Sequence, residues 1–193
     1  MASLPNIPII LYTGGVFPGR GMETIVGSIA ELSVDNFFLA FVYGDKKAKK
    51  QLIELCNNKL DMTRFKICDS VPRDELLSCS HEASVGIVYY PPSTSIGCKY
   101  AAPTKFFEYI ACGIPVVSAP NDSLVEIYNQ YQVGDYAVDE SISSLKDAFE
   151  RILTNADQLA CIKKNSEQIF LNHLSYEVVA GNAINNILEF VKQ

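Results

Sequence analysis

The chain has 193 residues, of which 48% are hydrophobic and 20% are charged. These proportions are ordinary for a globular protein and exclude the disordered and fibrous classes, and the length is sufficient for one sizeable hydrophobic core. The formal net charge is −6, so the chain has no extended basic face to neutralise a phosphate backbone. We therefore expect no nucleic-acid partner.

The cysteines indicate the compartment. There are six, at irregular spacings, without a Cys-x-x-Cys pair and with only two histidines, which argues against a zinc site or a disulfide framework. Free cysteines used as small core residues are typical of a reducing compartment. The apolar run at residues 7–12 is too short for a signal sequence or a membrane span. The sequence therefore predicts a cytoplasmic protein, and we interpret the basic run 46–50 as a solvated helix face, with a membrane-surface patch as the alternative.

Short apolar, β-branched runs alternate with helix-length amphipathic segments. The runs typical of buried strands are residues 8–13, 37–43, 64–68, 85–89, 114–118 and, more weakly, 136–138. The helices predicted between and after them cover residues 22–32, 46–56, 73–80, 103–112, 123–129 and 142–153. This alternation predicts an α/β fold, a three-layer Rossmann-like parallel sheet of about six strands.

Two helices are expected after the last strand, over residues 156–170 and 176–191. Apolar residues recur at three and four residue spacing in the second helix, so one of its faces is expected to be covered. Without a repeat or a linker, residues 1–193 are predicted to form a single domain with C-terminal helices. Open parallel sheets bind ligands beyond the carboxyl ends of their strands, so the site is expected in the loops there.

The segment 101–118 carries the strongest functional signal. Pro103 suits the first position of a helix, and Gly113 suits the left-handed residue after its last turn. Lys105 lies in the first turn, where the helix dipole disfavours a cation unless an anion such as phosphate lies nearby. Glu108 follows on the same face and can accept hydrogen bonds from sugar hydroxyls. The pair predicts a nucleotide-sugar site, with an exposed helical ion pair as the alternative.

Other loops offer groups for the same ligand. The loop at residues 13–21 contains four glycines and Arg20; glycine lets backbone N–H groups approach a diphosphate, and arginine can bind it bidentately. Its spacing fits neither a Walker A loop nor the dinucleotide fingerprint, so a plain turn-rich loop is the alternative. The loop at 90–102 is long, which is typical of functional loops. Val71, in a third loop, offers an apolar surface for a flat base.

Four short motifs together point to one family. They are a Gly-x-x-x-Pro-x-basic-Gly element ending at residue 21, a Gly-Asp turn at 44–45, a Val-Pro-x-x-Glu-Leu element at 71–76 and Pro-x-Lys-x-x-Glu-Tyr-x-Ala-x-Gly-x-Pro-Val-Val at 103–117. The last is the most specific. On these residues the chain resembles, almost from end to end, the C-terminal donor-binding domain of the retaining GT-B glycosyltransferases of family 4.

The resemblance implies roles for individual residues. Gly14, Gly15, Arg20 and Lys105 would hold the diphosphate of the donor. Many family members carry arginine where this chain has Gly15, so one phosphate contact is expected to be missing.

The nucleoside and the sugar are assigned in the same way. Glu108 would bind the ribose hydroxyls and Val71 would lie near the base. Tyr100, Ala101 and Thr104 would lie near the transferred sugar. Many relatives have a glutamate in place of Tyr100, which leaves the identity of the sugar open.

The resemblance also implies the reaction, although it assigns no catalytic residue. The donor would be a UDP-, GDP- or ADP-sugar, with no other cofactor. The sequence contains no Asp-x-Asp motif, so we expect metal-independent hexosyl transfer with retention, in the assembly of a cell-surface polysaccharide or lipopolysaccharide. Half of a GT-B fold is expected in this chain, and the acceptor domain would be absent or supplied by another chain. Membrane contact would occur only through the acceptor domain. The present chain alone would bind the donor without transferring its sugar.

Two other functions are compatible with the pattern. One is a half-domain similar to nucleotide-sugar 2-epimerases, although those enzymes need acid–base groups and the chain has few histidines. The other is a non-catalytic module that binds nucleotide or a partner protein. Such a module would bind nucleotide whether or not a sugar is attached.

Overall fold

A six-stranded sheet forms the centre of the molecule, and the computed structural model describes residues 4–191. The strands are β1 (Ile9–Gly15), β2 (Phe37–Tyr43), β3 (Phe65–Asp69), β4 (Val85–Val88), β5 (Val116–Ser118) and β6 (Gly134–Tyr136). Their order in the sheet is β3-β2-β1-β4-β5-β6, and neighbouring strands are parallel. The predicted α/β fold with a Rossmann-like parallel sheet is confirmed.

The helices follow the strands in the order expected of right-handed crossovers. In the described part of the chain they are α1 (Met22–Ala30), α2 (Lys46–Lys59), α3 (Arg73–Ser80), α4 (Ile96–Lys99), α5 (Thr104–Ala111), α6 (Asp122–Gln130), α7 (Ile142–Leu153), α8 (Ala156–Ile169) and α9 (Tyr176–Val191).

Both faces of the sheet are covered, which gives three layers. On one face, α1, α2 and α7 pack against strand residues such as Ile10 and Phe38. On the other face, α5 and α6 pack against Leu11 and Leu39. Successive side chains of a strand point to opposite faces, so a strand buried on both sides is apolar throughout. This is why the strands were recognisable as uninterrupted apolar runs.

Every strand except β2 differs from its predicted bounds by one or two residues, and the differences at β1 and β6 have a common cause. β1 continues through Gly14 and Gly15, which pair with the last residues of β2, whereas the sequence places both glycines in the following loop. β6 spans Gly134–Tyr136 and not 136–138, because its pairing with β5 begins at Gly134. In both places the backbone pairing of a neighbouring strand overrides the low intrinsic strand preference of glycine.

The helix α5, which carries the predicted site residues, begins and ends within one residue of the expected positions. Pro103 is the N-cap in an extended conformation, and not the first helical residue. Cys112 is the C-cap, and Gly113 follows with a φ of 69°, the left-handed conformation expected there. Proline and glycine therefore fix both ends of this helix.

The C-terminal helices are joined by a π-helical turn, Phe170–Leu174. The apolar face of α9 that the sequence predicts to be covered is exposed in this chain, with Val179, Ile184 and Ile187 each more than half exposed. Within residues 4–191, no helix combines the length and the apolar character that a membrane crossing requires.

Candidate functional site

A cavity of about 400 Å³ opens at the carboxyl ends of β1, β2 and β4. It lies where the strand order passes from β1 to β4, the switch point at which doubly wound sheets bind ligands. The predicted site residues that line it are Gly14, Gly15, Arg20, Val71, Thr104, Lys105 and Glu108. The structure therefore brings together the end of β1, the loops after β1 and β3, and the first two turns of α5.

Lys105 points from the first turn of α5 towards the end of β1. Its Nζ donates a hydrogen bond to the carbonyl oxygen of Thr13 at 3.0 Å. The same Nζ lies 4.5 Å from the ring centroid of Tyr12 and 5.1 Å from that of Tyr90, within the range of cation–π attraction. A carbonyl and two aromatic faces thus hold this ammonium group.

The environment of Lys105 disfavours its charge. Burial, and secondarily the nearby positive charge of Arg20, lowers the pKa of Lys105 from an ordinary 10.5 to about 7. Within residues 4–191, the salt bridges include neither Lys105 nor Arg20. A bound anion would supply the missing negative charge and restore the charged form of the lysine.

Arg20 contacts Tyr90, one of the two tyrosines that Lys105 contacts. Its guanidinium carbon is 4.2 Å from the ring centroid of Tyr90, so the aromatic ring orients the group by stacking. The Tyr90 ring is therefore shared by two cations, one from the loop after β1 and one from the first turn of α5. Two positive groups at one cavity, without a carboxylate paired to either in the described structure, form a site suited to a diphosphate.

Gly14 makes the close approach of Lys105 possible. Its φ is 140°, a conformation that residues with a side chain rarely adopt. A Cβ at this position would lie 3.1 Å from the Nζ of Lys105. The neighbouring turn is held by the hydroxyl of Tyr12, which donates to the carbonyl oxygen of Gly15 at 2.7 Å. The end of β1 is thus fixed with its backbone open to the cavity.

Glu108 faces the same cavity one turn further along α5. It does not pair with Lys105; its Oε1 accepts a hydrogen bond from the Nε of Arg73 at 3.0 Å. The alternative of a simple ion pair between Lys105 and Glu108 is therefore wrong. The ammonium group of Lys105 lies at the end of β1, whereas the carboxylate of Glu108 lies at the start of α3. The two charges therefore lie in different parts of the cavity.

Apolar side chains form the wall of the cavity beside Glu108. Val71 is one of them, together with Phe41, Tyr43 and Leu76. The ring of Tyr43 packs edge-on against Phe17, with the centroids 6.2 Å apart. An apolar wall beside a carboxylate is suited to a flat base attached to a ribose.

Two predicted sugar-proximal residues lie outside the cavity lining. Tyr100 and Ala101 do not belong to the residues that line it, whereas Thr104 does. Tyr100 is 54% exposed, and its ring lies 5.4 Å from the Nζ of Lys99. Both residues belong to the segment between α4 and α5.

That loop, residues 90–102, is more ordered than the sequence indicates. It contains a 3-10 turn, Pro92–Thr94, and the short helix α4. The buried side chain of Asn121 ties it to the loop after β5, because its Nδ2 donates to the carbonyl oxygens of Tyr90 at 2.7 Å and Cys98 at 2.6 Å. Asn121 therefore fixes the backbone on which the Tyr90 ring is carried.

A larger cavity of about 760 Å³ lies at the amino-terminal ends of the strands, near Ile9, Lys66 and Ser84. Parallel sheets bind ligands at the opposite ends of their strands, and the predicted residues do not gather there. In the part of the chain that the structure describes, no group of three or more His, Cys, Asp or Glu side chains is placed to hold a metal ion.

Tyr12, Tyr43, Arg73 and Tyr90 are among the site residues that were not predicted from the sequence. Tyr12 and Tyr43 lie in apolar strand segments, where the sequence predicts core residues. Tyr90 lies just after β4 and carries no signal of its own. Only Arg73 carried a signal, because it follows the predicted base contact Val71 by two residues and opens α3.

The model of the family "Glycosyl transferases group 1" matches residues 4–169. No curated protein sequence matches the chain. Among solved structures, sucrose-phosphate synthase from Thermosynechococcus elongatus is similar with a TM-score of 0.77 and 21% identity over 98% of this chain and 47% of that protein.

Two further structures share the fold. Anabaena HepE in complex with UDP and glucose has a TM-score of 0.72 at 15% identity, covering 97% of this chain and 48% of HepE. WaaG, a glycosyltransferase involved in lipopolysaccharide biosynthesis, has a TM-score of 0.68 at 14% identity, covering 93% of this chain and 47% of WaaG. The chain thus spans about half the length of these proteins, and it matches the C-terminal domain of a GT-B fold.

Proposed function

The chain belongs to the glycosyl transferases group 1 family, and on that premise we propose that it is the domain that binds the nucleotide-sugar donor of a glycosyltransferase. The observation that carries this proposal is the convergence of Arg20, Lys105 and Glu108 on one cavity at the switch point of the sheet. Two cations and a carboxylate at separate ends of a cavity match the charges of a diphosphate and the hydroxyls of a ribose.

The diphosphate lies at the end of β1 in this proposal. The backbone N–H groups near Gly14 and Gly15, the guanidinium of Arg20 and the ammonium of Lys105 bind its oxygens. The lack of a carboxylate paired to either cation in the described structure supports this assignment, because a buried cation without a counter-charge gains most from an anionic ligand.

The nucleoside lies along the apolar wall. The carboxylate of Glu108 accepts hydrogen bonds from the ribose hydroxyls, and the base lies against Val71. The donor is a UDP-, GDP- or ADP-sugar, with UDP the first to test because HepE was solved with UDP and glucose. The sugar lies towards Thr104, with Tyr100 and Ala101 at the mouth of the cavity.

The chemistry proposed is transfer of a hexosyl group with retention and without a metal ion. The bond between the anomeric carbon and the β-phosphate oxygen breaks with its electron pair left on the departing nucleoside diphosphate, while a hydroxyl oxygen of the acceptor bonds to the anomeric carbon and releases its proton to solvent. Arg20, Lys105 and the amino-terminal end of α5 stabilise the charge that develops there. The product is assigned to cell-surface polysaccharide or lipopolysaccharide assembly, by analogy with WaaG, and the free state of all six cysteines supports a cytoplasmic location.

A second domain or chain supplies the acceptor site. The cavity is open on one side, and the chain spans about half of each similar protein. We infer that residues 1–193 bind donor as one domain but do not transfer its sugar alone. Turnover of a UDP-sugar by the purified chain on a lipid-linked acceptor would contradict this.

The binding test is a thermal-shift and calorimetry series with UDP, GDP, ADP and their glucose conjugates. A nucleotide at a hundredfold its Kd stabilises by about 2.7 kcal/mol, which corresponds to a rise in Tm of roughly 5–11 °C for a chain of this size. Uridine and inorganic pyrophosphate, each lacking half of the ligand, should bind more weakly than UDP.

Matched variants locate the site. Arg20→Gln and Lys105→Met each remove a charged contact worth about 1.5–3 kcal/mol, so the Kd for the diphosphate should rise about 10-fold to 150-fold. Lys50→Met, which removes an exposed lysine of α2, should leave it unchanged. Equal effects of all three would place the ligand elsewhere, and binding that is independent of an attached sugar would favour a nucleotide-binding module.

A further inference from the structure

The ion pair between Arg73 and Glu108 joins two elements across the edge of the candidate site. Arg73 is the first residue of α3 and Glu108 lies in the middle of α5, and both line the cavity. In the part of the chain that the structure describes, this is the single salt bridge between α3 and α5. Its geometry is defined by one contact, from Nε to Oε1 at 3.0 Å.

The exposure of the two partners argues against a mainly stabilising role. The side chain of Arg73 is 70% exposed, whereas that of Glu108 is 24% exposed. Ion pairs with one solvated partner contribute little to stability, because water and salt screen them. A contact of this kind at the edge of a cavity has its main effect on where the more buried carboxylate points.

The pairing uses only part of the carboxylate. Oε1 of Glu108 accepts the bond from Arg73, and within residues 4–191 Oε2 has no hydrogen-bond partner. A carboxylate has about four lone-pair positions, so one oxygen can be fixed by arginine while the other accepts from a ligand hydroxyl. The arrangement leaves Glu108 oriented and still able to bind.

We propose that Arg73 is a positioning residue that orients Glu108 for the ribose hydroxyls, so that discrimination between ribonucleotides and 2′-deoxyribonucleotides depends on the start of α3. This inference rests on the proposed function, because it takes the nucleoside diphosphate as the ligand. A rival role is occlusion, in which Arg73 occupies the carboxylate and must leave before ribose binds.

The experiment measures the Kd of the 193-residue chain for UDP and 2′-deoxy-UDP, and for the GDP and ADP pairs. The proteins are the parent, Arg73→Met, Arg73→Lys and Glu108→Gln, with Lys50→Met as a control. A lost charged hydrogen bond corresponds to about a 10-fold to 150-fold change in affinity, so the parent should prefer the ribonucleotide by at least about tenfold.

Positioning predicts a loss of selectivity without a loss of the remaining contacts. Arg73→Met should reduce the ribose preference to about threefold or less and leave the Kd for the 2′-deoxynucleotide within about twofold, since the diphosphate contacts are intact. Arg73→Lys should restore part of the preference, because it keeps the charge but not the planar fork. Glu108→Gln should also lose the preference.

Three results would overturn the inference. A parental ribose preference that survives in Arg73→Met contradicts it while leaving the proposed function intact. Tighter ribonucleotide binding by Arg73→Met would establish occlusion in its place. Absence of binding by the parent to all the nucleoside diphosphates would overturn both proposals.

Discussion

The ammonium group of Lys105 and the carbonyl oxygen of Thr13 form a 3.0 Å hydrogen bond across 92 positions of sequence. The bond fixes the start of α5 against the end of β1. It also leaves the ammonium charge unpaired, because a carbonyl dipole and the Tyr12 and Tyr90 rings compensate it only partly. The free protein therefore carries an electrostatic penalty at this position that an anionic ligand would relieve.

Proton uptake should accompany nucleotide binding above neutral pH. Because the pKa of Lys105 in the free protein is about 7, most of this lysine is neutral at pH 8, and a bound diphosphate restores its proton. The affinity for UDP should therefore fall as pH rises above 7, by at most about tenfold per pH unit. Below pH 7 the lysine is already charged, and its titration no longer affects affinity.

Calorimetry at pH 8 in two buffers with different ionisation enthalpies measures this uptake. The parent should take up close to one proton per UDP, and Lys105→Met should take up none through this position. Equal proton uptake by the two proteins would show that another group titrates with the ligand.

The unfolding free energy should also depend on pH through Lys105. The pKa is about 7 in the folded protein and has its ordinary value of 10.5 in the unfolded chain, so between these values the unfolded chain binds more protons. Stability must then rise with pH in this window, by up to about 1.4 kcal/mol per pH unit. Below pH 7 the penalty of burying the charge is fully present, and above 10.5 it is absent.

Urea denaturation at pH 7, 8 and 9 tests the sign. The difference in unfolding free energy between the parent and Lys105→Met should shift in favour of the parent as pH rises, since the variant lacks this titration and the other groups are common to both. Lys50 is at an exposed position, so the unfolding free energy of Lys50→Met should differ from that of the parent by the same amount at each pH. A constant difference between the parent and Lys105→Met would contradict the lowered pKa.

The strands, the ends of α5 and the location of the site could be predicted from the sequence, because local patterns are sufficient to identify them. Strands buried on both faces appear as apolar runs, and Pro103 and Gly113 mark the ends of α5 because each favours one backbone conformation. The rule that ligands bind at the carboxyl ends of parallel strands then brings the loops after β1 and β4 together. Lys105, Glu108 and Arg20 were predicted in this way, and all three line the cavity.

Contacts between distant segments were beyond these patterns. The partner of Glu108 is Arg73, which lies 35 positions away, and no local spacing relates the two. Tyr90 reads as the end of a strand, and its role as the ring shared by Arg20 and Lys105 appears only when β1 and β4 are neighbours. The continuation of β1 through Gly14 likewise depends on its pairing with β2.

Gly14→Ala should destabilise the protein and weaken nucleotide binding together. The φ of 140° is unfavourable for alanine, which costs roughly 1–3 kcal/mol, and the new methyl group would lie 3.1 Å from the Nζ of Lys105. The lysine must then move away from Thr13. Urea denaturation and UDP titration measure the two effects.

Gly181→Ala is the matched control. Gly181 lies within α9, and a methyl group there meets no heavy atom within 4 Å among the described atoms. Alanine in a helix is favoured over glycine by about 1 kcal/mol, so this variant should be stabilised or unchanged and should bind UDP like the parent. If Gly14→Ala and Gly181→Ala changed the unfolding free energy and the UDP affinity in the same direction, the close approach of Lys105 to Gly14 would be contradicted.

Asn121→Ala should loosen the loop that carries Tyr90. The side chain is fully buried, and its Nδ2 donates to the carbonyl oxygens of Tyr90 and Cys98. Removing it leaves both part-buried carbonyls without this donor, at up to about 1–3 kcal/mol for each group that is left unpaired. Amides of residues 90–100 should exchange with solvent faster than in the parent, as measured by hydrogen exchange.

The effect on binding should follow from the position of the Tyr90 ring. Because Arg20 stacks on this ring at 4.2 Å, a mobile Tyr90 no longer orients the guanidinium, and the affinity for UDP should fall while Arg20 itself is unchanged. Asn165→Ala, which truncates an exposed asparagine of α8, should alter neither exchange in the loop nor binding. Faster exchange without weaker UDP binding would show that Arg20 does not depend on Tyr90 for its orientation.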